Sequence, residues 1–135
     1  MYGAEAWTLT EAMCKKLEAF EMWSYRRMLR IVWTDRITNA EVLARLNKDK
    51  EMLYSLKKRK LEYFGHIMRG TKYRLLQNIM QGKIAGRRGP GRRKTSWLKN
   101  LRQWFGVSTT TLFRKAVNKT QIMLMMANVR GGQGT

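Results

Sequence analysis

The chain's one proline, Pro90, lies inside the stretch where apolar periodicity fails, residues 82–94 with the sequence GKIAGRRGPGRRK. Four of those thirteen residues are glycine and six are cationic. Proline removes a backbone donor, and each glycine weakens a helix by about 1 kcal/mol. The segment therefore reads as a flexible basic loop, and the sequence on either side of it is free to be helical.

Apolar residues at three- and four-residue spacing predict a first helix over residues 10–32. Met13, Leu17, Phe20, Met28 and Ile31 form one stripe, and Met22, Tyr25, Leu29 and Val32 form a second. A helix apolar on two sides needs two neighbours. Thr8 with Glu11 reads as its capping box, and Glu11 with Lys15 as a favourable i,i+4 pair. Thr38 with Glu41 predicts a second capping box, Ile37 stapling onto Val42 at the start of a helix over residues 39–47. A third helix is expected over residues 50–69, with Leu53, Leu56, Phe64, Ile67 and Met68 inward and Gly70 as its stop. A fourth covers residues 73–81 and carries Leu75, Leu76, Ile79 and Met80 up to Gly82. Beyond the loop, Thr95 or Ser96 caps a helix that places Trp97, Leu101 and Trp104 on one face and ends at Gly106. Ser108 caps the last helical region, with Val107 on Leu112 and a break near Asn118. The expectation is an all-α, irregular bundle of five to seven helices. Its segments are residues 1–81, the loop 82–94, a C-terminal helical segment 95–129 and a disordered tail 130–135.

A hydrophobic fraction of 44% with five tryptophans argues against wholesale disorder. Cys14 is the single cysteine, so neither an internal disulfide nor a zinc site of the usual kind can form, and a reducing compartment is expected. The apolar run at residues 122–127 is too short to cross a bilayer, and no secretory leader opens the chain. An intracellular protein without a membrane partner is expected.

Charge speaks to function. All nine carboxylates (Glu5, Glu11, Glu18, Glu21, Asp35, Glu41, Asp49, Glu51 and Glu62) lie in the first 62 residues, beside 13 of the 28 Lys and Arg. The remaining 73 residues hold 15 cations and no acid. The formal charge is thus +4 before residue 63 and +15 after it. A surface without counter-charges repels itself until a polyanion neutralises it, which points to RNA or DNA. No carboxylate pair, metal cage or general base can be built from residues 63–135 alone. The expected role is binding without catalysis, with no cofactor, no metal and no small-molecule substrate.

Arg87, Arg88, Arg92, Arg93 and Lys94 are the candidate nucleic-acid contacts, cations on a backbone able to follow a phosphate track. The other reading is a solvated linker. The order Arg88-Gly89-Pro90-Gly91-Arg92 is not the Arg-Gly-Arg-Pro core of an AT-hook, so groove specificity is not expected. Trp97 and Trp104 either stack on bases or, at helical spacing with Leu101, belong to the core. The run Lys57, Lys58, Arg59, Lys60 matches a short nuclear-import pattern and equally the solvent face of a helix. His66 has Glu62 one turn back and reads as a packed or capping histidine.

Several strings resemble family hallmarks. They are Tyr2-Gly3-Ala4-Glu5-Ala6-Trp7-Thr8-Leu9-Thr10, Leu17-Glu18-Ala19-Phe20-Glu21-Met22-Trp23, Arg26-Arg27-Met28-Leu29-Arg30-Ile31 and Trp33-Thr34-Asp35-Arg36. Tyr63-Phe64-Gly65-His66 follows, then Gly89-Pro90-Gly91-Arg92-Arg93 with Trp97-Leu98. In this order they resemble the C-terminal end of the endonuclease–reverse transcriptase polyprotein of non-LTR (LINE-type) retrotransposons, over essentially the whole chain. The resemblance implies a parent with RNA-directed DNA polymerase and endonuclease activity. It also implies a place in or after the polymerase thumb, and a role in holding template RNA or nicked target DNA. In that family the palm carries a Tyr/Phe-Ala-Asp-Asp motif for two magnesium ions. No Asp-Asp pair occurs here, where the aspartates are Asp35 and Asp49, so the catalytic modules are expected to be missing. A helical protein-interaction segment whose first helix, with its two apolar stripes, packs on the polymerase thumb, and an expressed relic without function, remain the alternative readings.

Overall fold

The computed structural model describes residues 2–87, 89–92 and 95–131, and side chains as far as residue 129. Among the described residues the chain is all-α. Its helices are α1 (Glu11–Met28), α2 (Asn39–Leu46), α3 (Met52–Arg69), α4 (Arg74–Met80), α5 (Trp97–Phe105), α6 (Thr109–Ala116) and α7 (Lys119–Gly131). Short 3-10 turns lie at Ala4–Ala6, Trp33–Asp35 and Thr71–Tyr73, and there is no strand among the described residues. The helices form two compact units, one of residues Leu9–Leu56 and one of Met1–Thr8 with Lys57–Thr135. The units do not follow the segments read from composition. The N-terminal octapeptide belongs with the C-terminal helices through contacts that no local pattern encodes.

In the unit Leu9–Leu56, α1 is capped by Thr10, whose hydroxyl accepts from Met13 N at 3.2 Å; the expected Thr8–Glu11 box is not used. Thr10 is the residue with extended backbone directly before the first turn, so its side chain is the one in reach. Glu11 pairs with Lys15 at 3.1 Å as expected. The helix ends at Met28, four residues short of the expected boundary. Arg30 adopts a left-handed φ of 54°, which turns the chain so that Ile31 N donates to Arg26 O and Arg30 N to Arg27 O. This is a Schellman closure with arginine where glycine is usual. Asn47 closes α2 the same way at φ 49°. The start of α2 carries the expected box, Thr38 N donating to Glu41 and Glu41 N to Thr38. Arg26 reaches across to donate to Ile37 O at 2.7 Å and Asn39 Oδ1 at 2.9 Å.

The first turn of α3 is held from α1. Glu21 is 3% exposed, and its Oε1 accepts from Glu51 N at 2.8 Å, Met52 N at 3.0 Å and Tyr25 Oη at 2.9 Å. A carboxylate there satisfies orphan N–H donors and meets the positive end of the helix dipole. Burial first, then the hydrogen bond to Glu21 and the charges of Glu21 and Glu51, push the Tyr25 phenol up to about 12. Met22, Val42, Leu53 and Leu56 are buried in this unit.

In the second unit, Leu61, Phe64 and Ile67 of α3 are buried, as are Leu101, Leu112 and Ile122 of α5, α6 and α7. Ser108 caps α6 by accepting from Thr111 N, and Asn118 Oδ1 accepts from Thr120 N at the break before α7. Gly106 ends α5 at φ 60°. Gly70 ends α3 for another reason. Its φ is −83°, but a Cβ there would stand 2.5 Å from the Tyr73 ring. Carbonyls at the C-terminal end of α3 are met by Gln77, whose amide donates to Ile67 O and Gly70 O. That amide anchors α4, whose apolar side chains do not turn inward: Leu75, Leu76 and Ile79 are exposed. Helix α7 runs through Gly131, into the stretch expected to be a disordered tail, and residues 132–135 lie outside the described residues.

Candidate nucleic-acid interface

The described residues contain two ion pairs, Glu11–Lys15 and Glu18–Lys50 at 3.2 Å. Neither involves a residue after Glu62, so the described cations of the acid-free region meet no carboxylate there. Arg87 and Arg92 of the basic loop are exposed, in a segment without helix or strand among its described residues. They follow Gly86 at φ 149° and Gly91 at φ 127°, conformations that L side chains rarely adopt. Arg88, Arg93 and Lys94 lie outside the described residues. The structure thus puts Arg87 and Arg92 at the surface.

Trp97 is a packed side chain. Its indole donates to Glu5 O at 3.0 Å, and its ring meets Tyr63 edge-on and Phe64 at a tilt, both at 6.2 Å. Trp104 is half-buried and lines an open cleft of about 530 Å³ shared with Lys57, Gln103, Gly106, Lys115 and Asn128. Lys57 sits 5.7 Å from the Trp104 ring. Lys115 lines the same cleft.

The run 57–60 is not presented as four exposed cations. Lys58 and Arg59 are exposed and Lys57 is half-buried, but Lys60 has no exposed surface. Its ammonium donates to Trp7 O at 2.5 Å and Asn100 Oδ1 at 2.8 Å, and lies 4.7 Å from the Trp97 ring and 5.4 Å from that of Trp104. As an import signal the run therefore lacks its fourth surface charge. The clue was in the spacing: Lys60 falls between Leu56 and Phe64 on the stripe of Leu53, Leu56, Phe64 and Ile67. Asn100 occupies the matching position between Trp97 and Trp104.

His66 is exposed, its Nε2 3.1 Å from the Tyr73 hydroxyl and the rings 5.3 Å apart. Among the described residues no three His, Cys, Asp or Glu side chains gather to hold a metal ion. No described helix is long and apolar enough to cross a membrane. Compared with protein-family models, with curated proteins and with solved structures, the chain matches none.

Proposed function

We propose that this chain is a sequence-tolerant nucleic-acid-binding segment without catalysis of its own. The observation that carries it is the acid-free region: 15 cations over 73 residues, none of those described meeting a carboxylate. Fixed positive charge of this density favours a phosphate polyanion, and the counter-ions released on binding supply the driving force. The resemblance to the C-terminal end of a LINE-type reverse transcriptase supports the same reading and supplies a setting, the holding of template RNA or nicked target DNA during target-primed synthesis.

The test is the salt dependence of binding to a labelled single strand and a duplex. If Arg87, Arg88, Arg92, Arg93 and Lys94 each neutralise one phosphate, changing all five to Gln flattens the log–log slope by roughly 3.5 on single strands and 4.5 on duplex DNA. An unchanged slope with intact helicity removes the loop from the interface; binding that ignores salt refutes the proposal as a whole. The exposed Leu75, Leu76 and Ile79 of α4 favour a second reading, a helical segment that packs on the parent's polymerase module. That reading requires the apolar side chains, not the cations, to carry the interaction.

A further inference from the structure

Helix α1 exposes large rings. Phe20 is 54% and Trp23 55% exposed, and the two are stacked at 5.9 Å with 24° between their planes. The Arg27 guanidinium lies 5.5 Å from the Trp23 ring. Lys16, one turn before Phe20, is exposed as well. Lys16, Phe20, Trp23 and Arg27 follow one another at four, three and four residues, which on an α-helix is a single stripe. The acids of α1 lie elsewhere. At 3.6 residues per turn, Glu11, Glu18 and Glu21 stand about 100–180° around the helix from Phe20. Each is also engaged: Glu11 with Lys15, Glu18 with Lys50, and Glu21 buried against the start of α3.

We propose that this face is a base-stacking platform for single-stranded nucleic acid, in which unpaired bases lie on Phe20 and Trp23 while Lys16 and Arg27 hold the phosphates on either side. Two stacked rings extend the geometry by which successive bases pile on aromatic side chains, and every base offers a π-face, so the site is sequence-tolerant. A duplex keeps its base faces inside its own stack and cannot use the rings. A protein helix is the less fitting occupant, because cations bound the rings along the stripe and no acid on this face complements a basic partner. The platform lies in the unit Leu9–Leu56, apart in sequence from the acid-free region, and stands or falls independently of the loop.

The experiment uses the full chain. Its readouts are affinity for a poly(dT) or poly(U) strand, affinity for a duplex of equal length, and ultraviolet crosslinking of the strand with mass-spectrometric mapping. Both rings are more than half exposed, so Phe20→Ala/Trp23→Ala keeps the wild-type helicity and melting profile. The expected result is single-strand binding weakened by roughly 5- to 150-fold for each base unstacked. Duplex binding and the salt slope stay as in the wild type, because stacking releases no counter-ions. Trp23→Phe retains most of the affinity, and crosslinks map to the one tryptic peptide, residues 17–26, that carries Phe20 and Trp23. Wild-type single-strand affinity in the double variant, equal losses on strand and duplex, or crosslinks confined to residues 57–135 would each overturn the proposal. A five-Gln loop variant with a flattened slope but undiminished crosslinking at Trp23 keeps the platform separate from the loop reading, and the converse result separates them the other way.

Discussion

Lys60 offers the most exacting test of how the second unit is held together. The perturbation is Lys60→Met, which keeps the length of the side chain and removes the charge. Two opposing effects decide the outcome. Methionine spares the several kcal/mol needed to strip an ammonium of water. It also strands Trp7 O and Asn100 Oδ1, which lose a donor now at 2.5 and 2.8 Å. A buried acceptor deprived of its donor costs about 1–3 kcal/mol, and losing a cation from two indole faces costs about 0.5–2 kcal/mol each. Both acceptors remain in place and neither ring gains an equivalent contact, so the stranded groups dominate. Lys60→Met is expected to destabilise the unit by about 2–4 kcal/mol. Asn100→Leu removes one of those acceptors, so the double variant is expected to lose about 1–2 kcal/mol less than the two single variants summed. Urea unfolding followed by tryptophan fluorescence reads this, because the Trp97 and Trp104 rings lie 4.7 and 5.4 Å from the ammonium. A Lys60→Met chain as stable as the wild type, or strict additivity in the double variant, would show that desolvation of the charge outweighs what its contacts return.

Tyr25, held up to about 12, favours its protonated form in the folded chain; that stabilisation is complete below pH 10 and is lost as pH rises through about 12. Titration by tyrosinate absorbance shows a late step that Tyr25→Phe removes, and its persistence in that variant would refute the assignment. Arg30→Gly relieves a left-handed backbone at no cost in contacts, and raises the unfolding midpoint by an increment worth about 1 kcal/mol. Gly70→Ala drives a methyl into the Tyr73 ring at 2.5 Å and is expected to cost about 1–3 kcal/mol. Gly65→Ala meets only the movable end of Arg69, at 2.8 Å, so in thermal melts it is the milder of the two even though it displaces the guanidinium from Ala116 O.

The helices were legible wherever their signals were local. The Thr38–Glu41 box, the Ser108 cap and the apolar spacing of α3 all act within one or two turns, and each appears in the structure. What could not be read came from further away or from an unusual residue. Arg30 performs a glycine's task at the end of α1. Glu21 caps a helix that begins 31 residues later, and Lys60 and Asn100 become interior only when α3 and α5 meet. Periodicity also does not say which stripe finds a partner. Met22 is buried while Met13, Phe20 and Met28 of the other stripe face solvent, so α1 has one covered side where two were expected. Of the candidate interface, the charge asymmetry was fully present in the sequence. The partly buried placement of Trp97 and Trp104 was half visible in their spacing, and the loss of Lys60 from the basic run depended on tertiary contacts.

The hydrogen bonds from Trp97 to Glu5 O and from Lys60 to Trp7 O also set an order of events during synthesis. Residues 9–56 form one continuous stretch, whose helices can consolidate as soon as that stretch has emerged. Residues 4–7 are made long before the indole that holds Glu5. At about 5–20 residues per second, the interval between Glu5 and Trp97 is roughly 5–20 s, far longer than the microseconds a helix needs to form. Through that interval Glu5 O waits without the indole that holds it, available to chaperones or to any neighbouring chain. A ribosome that stalls within residues 82–94 would leave the early unit able to fold and the opening octapeptide without α5, the helix that holds it.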